Sequence, residues 1–221
     1  MSYYSDRLSA ERLQRCYELA TPEVQAYLEA EIQYLLAAIA PGDRVLELGC
    51  GYGRVLSRLA ERTNRIMGLD LSIASLRHAR EILDPRRVGL IRGDAATPCF
   101  RSSSFDLVCC PQNGISALHV DQRSLIVSAV GLVVPGGNAV FFSYADTFWR
   151  HRLEWFRIQA AHGLIGEIDE RATANGTIVC KDGFVATTVA PERFLELSQG
   201  LGRSVSVSEL AGSSVVCSIT V

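Results

Sequence analysis

The run Val45-Leu46-Glu47-Leu48-Gly49-Cys50-Gly51-Tyr52-Gly53-Arg54 decides how the rest of the chain is read. An apolar stretch long enough for one buried strand ends in three glycines at alternate positions, and a helical pattern begins at Arg54. Without Cβ atoms the backbone can bend sharply and approach a ligand closely, and free amides at the helix start favour polar or anionic groups. A tight turn that holds no ligand would use the same residues, so the neighbouring sequence has to decide.

Outward from this loop the pattern alternates. Strands are predicted at residues 45–49, 65–70, 88–92, 105–110 and 138–143, with helices at 54–62, 72–83 and 121–134 between them. Ser72 caps the second of these helices, and Pro135-Gly136-Gly137 stops the third. Nearly all-apolar strands alternating with helices imply a parallel sheet covered on both faces, with ligands at the carboxyl ends of the strands. Residues 8–40 read as two helices, the second capped by Thr21 with Pro22 in its first turn and stopped by Pro41-Gly42.

The pattern changes after Asp146. A helix around Trp149, Leu153, Phe156 and Ala160 gives way to segments of strand character at 165–172, 177–180 and 184–189, with turn signals at Asn175-Gly176 and Asp182-Gly183. A helix opened by Pro191 and strands at 204–207 and 214–221 close the chain. The expected architecture is α/β: a doubly wound, mostly parallel seven-stranded sheet, with an N-terminal helical segment and a helix-plus-antiparallel-strand insertion after strand 5.

Composition narrows the function. The chain has 221 residues, 48% apolar and 21% charged, enough to bury a core. A formal charge of −2 gives no excess for neutralising a phosphate backbone or an anionic bilayer. No signal-like apolar core opens the chain and no run is long enough to span a bilayer. Neither nucleic acid nor a membrane is expected as partner, and the expected location is cytoplasmic. The seven cysteines contain no C-x-x-C pair and read as reduced core thiols, and the four histidines lack ligand spacing, so no metal is expected. Convergence of Cys50, Cys99, Cys109 and Cys110 on a soft metal or metalloid is the competing reading.

Asp70 stands 21 positions after Gly49 at the end of the next strand, where a carboxylate can accept hydrogen bonds from both hydroxyls of a ribose. A capping aspartate is the bland alternative, although Ser72 already serves that helix. Nicotinamide dehydrogenases follow the same logic with G-x-G-x-x-G, whereas the spacing here is G-x-G-x-G. At Arg92-Gly93-Asp94-Ala95-Ala96 an acid and a small residue follow the third strand, which a plain turn would also explain. After the fourth strand comes Pro111-Gln112-Asn113-Gly114.

From about Pro41 to Tyr144 these motifs resemble the class I S-adenosylmethionine-dependent methyltransferases, which implies a Rossmann-like methyltransferase fold. By that resemblance Glu47 and the loop Gly49, Cys50, Gly51 and Gly53 hold the methionine part of the cofactor, and Asp70 holds the ribose hydroxyls. Leu71 packs on the adenine, Asp94 and the Ala95 amide meet its edge, and Gln112 and Asn113 lie beside the methionine end or the acceptor. The implied reaction is in-line transfer of a methyl group from S-adenosylmethionine to a small-molecule acceptor, leaving S-adenosylhomocysteine. A nicotinamide oxidoreductase and a non-catalytic cofactor-binding module are the rivals, with a thiol or metalloid acceptor as an enzymatic variant.

Candidate bases or orienters are His119, Tyr144, Asp146, Glu154, Glu167 and Asp169, with Tyr144 best placed at the end of the fifth strand. An insertion after that strand overhangs the cleft, so Tyr4, Asn113, Tyr144 and Trp149 are the expected acceptor residues, with Tyr3 helping Tyr4 to close the site. The division expected is one methyltransferase domain over 1–221: a helical cap at 1–40, a cofactor-binding core at 41–145, a substrate-binding insertion at 146–190, and a closing helix and strands at 191–221. Oligomeric state is not encoded in any motif.

Overall fold

The computed structural model describes Tyr3 and residues 7–221. Seven strands form one sheet: β1 (Val45–Leu48), β2 (Ile66–Asp70), β3 (Val88–Arg92), β4 (Phe105–Cys110), β5 (Val133–Tyr144), β8 (Ser204–Leu210) and β9 (Ser214–Thr220). Their spatial order is β3-β2-β1-β4-β5-β9-β8, with β3 to β5 mutually parallel and β9 antiparallel to both its neighbours. Between the parallel strands run α3 (Arg54–Leu59), α4 (Ile73–Ile82), the short α5 (Gly114–Ala117) and α6 (Gln122–Leu132). The expected seven-stranded, doubly wound sheet is the one observed.

Burial explains the sequence pattern. All four positions of β1 are buried, because a central parallel strand is covered on both faces. Leu46, Leu48 and Cys110 pack into one layer and Val45, Cys50 and Cys109 into the other. A third cluster joins the N-terminal helices α1 (Ala10–Glu18) and α2 (Pro22–Ala38) to the segment after β5. It brings Cys16, Val24, Tyr27 and Leu28 against Tyr144, Phe148, Trp155, Phe156 and Phe184. The N-terminal helices and the insertion therefore share a core, fastened by the Trp155 indole donating to the Cys16 carbonyl at 2.9 Å.

Two expectations are corrected. The helix at 121–134 ends at Leu132, and β5 starts at Val133 and runs through Pro135-Gly136-Gly137. Pairing with β4 shifts register there, and a Cβ on Gly137 would lie 2.5 Å from the Asp106 carbonyl oxygen, so the glycine permits an irregular strand rather than marking its limit.

In the insertion, α7 (Trp149–Ala161) is as expected, but the three strands shrink to β6 (Ile178–Val179) and β7 (Val185–Ala186) with an isolated bridge from Ile168 to Cys180. Side chains have taken the backbone groups a ladder would use. Asp169 accepts from the amides of Arg171 and Ala172, Arg152 and Asn113 bind the Thr187 carbonyl, and Ser143 receives the Val189 amide. A final helix, α8 (Pro191–Ser198), packs against α6 and β8.

Candidate active site

The glycine loop leaves β1 at the carboxyl edge of the sheet and closes onto the tip of β2. The Gly51 amide donates to Asp70 Oδ2 at 2.8 Å and the Ser72 amide to Asp70 Oδ1 at 2.7 Å, so one carboxylate ties the loop to the next strand. Burial raises the Asp70 carboxyl above its ordinary range, and these two amides oppose the rise. Gly53 caps α3 with φ +85°, and a Cβ there would come within 2.5 Å of Leu83 Cδ1. Both facts demand glycine.

Beneath this loop lies a cleft of about 840 Å³, counting its open mouth. Its walls include Glu47, Gly49, Cys50, Gly51, Asp70, Leu71, Ser72, Pro111, Gln112 and Gly114. A smaller hollow continues it past Gly49, Asp70, Leu71 and Leu118 to Gly93, Asp94 and Ala95. Asp94 Oδ1 accepts from the Ala96 amide at 2.8 Å, and Leu71 is an exposed apolar rim residue. The sequence-predicted residues thus fall on one continuous wall: Asp94 and Ala95 at one end, Asp70 in the middle, and Glu47 and Gln112 at the other.

That far end is polar and unsatisfied. Glu47 Oε2 and Gln112 Nε2 are buried without a hydrogen-bond partner among the described residues, and so are Nε and Nη2 of Arg54. Burial pushes the Glu47 carboxyl up to about 8, with the Arg54 guanidinium pulling against it. Gln112 and Asn113 both take left-handed backbone, φ +55° and +58°. Glu31 of α2, fully buried, holds this bend by accepting from the Gln112 amide at 2.7 Å and from the Ser214 hydroxyl.

Sequence reasoning missed the roof. Leu8, Leu13 and Tyr17, on or just before α1, line the cleft, and Arg54 stacks 4.7 Å above the Tyr17 ring. The amphipathic pattern of α1 announced a packed helix and carried no sign of what it covers.

The acceptor and catalytic residues are more scattered. Asn113 does not present its amide to the cleft: Nδ2 donates to the Thr187 carbonyl at 2.9 Å, and Oδ1 accepts from the Ser143 hydroxyl at 2.9 Å. Tyr144 and Trp149 line a separate hollow with Asp146, Arg152, Asn175, Gly176 and Thr188. Burial raises the Tyr144 phenol to about 12, which suits a donor and not a base. His119 is exposed, two residues beyond α5, and is not among the residues that line the cleft. Glu154 is exposed, Glu167 pairs with Lys181, and Asp169 serves its turn. Tyr3 bonds Asp182 at 2.6 Å, away from the cleft, and Tyr4 lies outside the described residues.

Cys109 and Cys110 enter opposite layers of the core, so the thiols do not converge on a soft acceptor, and burial pushes both well above the range where a thiolate forms.

A Rossmann-like sheet whose glycine loop and strand-end carboxylate face one cleft defines a binder of a nucleoside-containing cofactor. Residues 45–137 match the family described as a methyltransferase domain. An uncharacterised methyltransferase of Mycobacterium tuberculosis is 29% identical over 153 residues, 65% of this chain and 76% of that one. A fatty-acid O-methyltransferase of Mycolicibacterium smegmatis is 31% identical over 148 residues, 65% of this chain and 50% of that one. Among solved structures, a complex described as DhpI-SAM-HEP shares the fold with a TM-score of 0.64 at 22% identity, over 99% of this chain and 94% of that one. The matched domain and these relatives support a class I S-adenosylmethionine-dependent methyltransferase with S-adenosylmethionine as cofactor. The nicotinamide and non-catalytic readings give way to this finding. Among the described residues no helix is long and apolar enough to cross a membrane.

Proposed function

We propose that the chain methylates a small-molecule acceptor and that residues 1–221 act as one domain divided as the sequence suggests. The reading rests on one observation above the others: at the end of the cleft remote from Asp94, Glu47 Oε2 and Gln112 Nε2 are buried with no partner among the described residues. Buried polar groups left unpaired are costly, and a ligand with both a donor and an acceptor relieves them. The methionine end of the cofactor has that character, and the glycine cradle beside Asp70 leaves room for its nucleoside.

When bound, the cofactor would supply an electrophilic methyl group carried on a sulfonium. The rest falls to the protein. Asp70 accepts from the ribose hydroxyls, Leu71 lies on the adenine, and Asp94 with the Ala95 amide reads the adenine edge. Glu47, Gly49, Cys50, Gly51 and Gly53 enclose the methionine end. Gln112 stands between this end and the acceptor, its bend fixed by Glu31. Leu8, Leu13 and Tyr17 exclude water above it. Holding two reactants aligned can supply about 7–11 kcal/mol of the barrier. Tyr144, at the end of β5, and Trp149 of the insertion line a hollow separate from the cofactor cleft and are the acceptor residues of this reading, Tyr144 as a hydrogen-bond donor.

A covered cleft suits a small acceptor better than a segment of a folded macromolecule. The names of relatives agree, since one is a fatty-acid O-methyltransferase and another a ubiquinone biosynthesis O-methyltransferase.

Calorimetric titration tests the core of this reading. S-adenosylhomocysteine should bind and NAD should not, and Asp70→Ala should weaken S-adenosylhomocysteine about 100-fold, two charge-assisted hydrogen bonds being lost. Unchanged affinity in a folded Asp70→Ala protein would remove the assignment. For the acceptor, transfer of labelled methyl into the low-molecular-weight fraction of a cell extract is expected, and label found only in protein or nucleic acid would overturn the small-molecule reading.

A further inference from the structure

The buried stripe of α2 carries one acid. Its other members, Val24, Tyr27, Leu28, Ile32 and Leu35, pack the core, whereas Glu31 brings a carboxyl to a place with no exposed surface. Taking a carboxyl out of water is expensive, and its two oxygens are engaged at different places. Oε2 accepts from the Gln112 amide at 2.7 Å, just past the end of β4, and Oε1 accepts from the Ser214 hydroxyl in β9. Ser214 lies directly opposite Tyr144 in the β5–β9 ladder. One side chain therefore spans the carboxyl ends of β4 and β5. It ties Gln112, which lines the cleft, to the ladder partner of Tyr144, which lines the hollow.

The backbone past β4 needs holding. Gln112 and Asn113 are both left-handed, a conformation that residues with side chains keep only where their surroundings over-determine it. Each is gripped from a different side. Glu31 holds Gln112 from the N-terminal helices, while the Asn113 amide donates to the Thr187 carbonyl and accepts from the Ser143 hydroxyl, which itself receives the Val189 amide. Thr188, between those two residues of the insertion, lines the hollow. We infer that Glu31 is a positioning residue for methyl transfer, fixing the Gln112 bend relative to Tyr144 so that cofactor and acceptor stay aligned. This inference rests on the roles proposed above for Gln112 and Tyr144. The role does not require a charge. Burial lifts the Glu31 carboxyl to about 7, opposed by Ser214, the Gln112 amide, Tyr27 and Arg54. Both protonation states keep both bonds, since a backbone amide only donates and a hydroxyl can do either: a proton on Oε1 turns the Ser214 bond round.

The test compares labelled methyl transfer from saturating S-adenosylmethionine into a cell extract with S-adenosylhomocysteine affinity in the same variants. Glu31→Met fills the space and removes both bonds. Misplacement by about 1 Å can cost about 100-fold, so its transfer rate should fall about 10- to 100-fold while S-adenosylhomocysteine affinity stays within about threefold. Glu31→Gln turns a carbonyl to Gln112 and an amide to Ser214, and should keep at least about a third of the wild-type rate. Ser214→Ala breaks the span and leaves the Gln112 bond, so it should cost about 3- to 10-fold. A wild-type rate in Ser214→Ala would overturn the spanning role even if the Met variant fails to fold. Gln and Met variants equally slow would make ionisation the requirement in place of position, and a folded Met variant at the wild-type rate would mean that the bend holds itself. Either result overturns the inference, as would losses of rate and cofactor affinity in equal measure. Transfer is read in whichever fraction takes up label. Label in macromolecules alone would therefore defeat the small-molecule reading while the variants still decide the part played by Glu31.

Discussion

The two halves of the carboxyl edge of the sheet treat polar groups in opposite ways. On the glycine-loop side, Glu47, Arg54 and Gln112 bury polar atoms and leave them unpaired around a cleft. On the insertion side most of the comparable groups bind the protein itself. Arg152 donates to the carbonyls of Gly176, Ala186 and Thr187, and Asn113 and Ser143 clasp residues 187–189. Burial of a polar side chain does not by itself mark a functional site. Unsatisfied burial facing open space marks a place for a ligand, whereas satisfied burial marks scaffold.

The largest expected effect tests that distinction. Arg152 is only 1% exposed, its guanidinium lies 4.6 Å over the Tyr144 ring, and three carbonyls depend on it. Arg152→Met should lower the unfolding free energy in urea by about 2–4 kcal/mol, because buried acceptors are orphaned. Affinity for S-adenosylhomocysteine should stay within about twofold in the folded protein. A stable variant that had lost cofactor affinity would reverse the contrast between the halves.

The same contrast governs what could be read in the sequence. The parallel strands, the glycine loop, Asp70 and the Asp94-Ala95 pair were legible because each is set by spacing at or near a strand end, where local sequence fixes geometry. The roof was not, because Tyr17 reaches the loop by packing across the chain. Nor was Glu31, an acid in an apolar helix stripe whose partners, Gln112 after β4 and Ser214 in β9, are distant in sequence. Asn113 misled for a related reason: a polar residue at the binding edge invites a ligand role, and only the fold reveals that Thr187 and Ser143 already occupy its amide. Strand-like stretches after residue 165 misled as well, since alternating side chains say nothing of which groups will claim the backbone.

A smaller effect distinguishes the two buried acids. Burial lifts Glu47 to about 8 and Glu31 to about 7, from an ordinary value of 4.5. Glu47 faces Arg54, Asp70 and the Leu56 backbone, whereas Glu31 faces Ser214, the Gln112 amide, Tyr27, Tyr144 and Arg54. A carboxyl raised in the folded state binds more protons there than in the unfolded chain. Its stabilising contribution is full below the unfolded value and is lost as pH rises through the folded one. The thermal midpoint of the cofactor-free protein should therefore fall between pH 5 and pH 8. Glu31→Gln should flatten the part below about pH 7 with or without cofactor, since its partners belong to the protein. Glu47→Gln should flatten the decline up to about pH 8 only in cofactor-free protein, because a cationic group bound beside Glu47 would favour the ionised acid. An identical response to Glu47→Gln in free and saturated protein would place Glu47 with the scaffold.

The smallest effect belongs to His119, the one histidine that sequence position offered as a base. It sits two residues beyond α5 with φ +53°, exposed and off the cleft wall, so it belongs to neither half of the comparison. His119→Ala should change kcat/KM by less than about twofold, where removal of a general base would cost at least about 100-fold. Left-handed backbone is strained for alanine, so a stability loss below about 1 kcal/mol is expected, and His119→Gly should recover it by accepting that conformation. A fall in kcat/KM that glycine and alanine share, with both proteins stable and the cofactor still bound, would mean that the acceptor reaches the protein from the α5 side. The insertion would then have to yield its place as the acceptor wall.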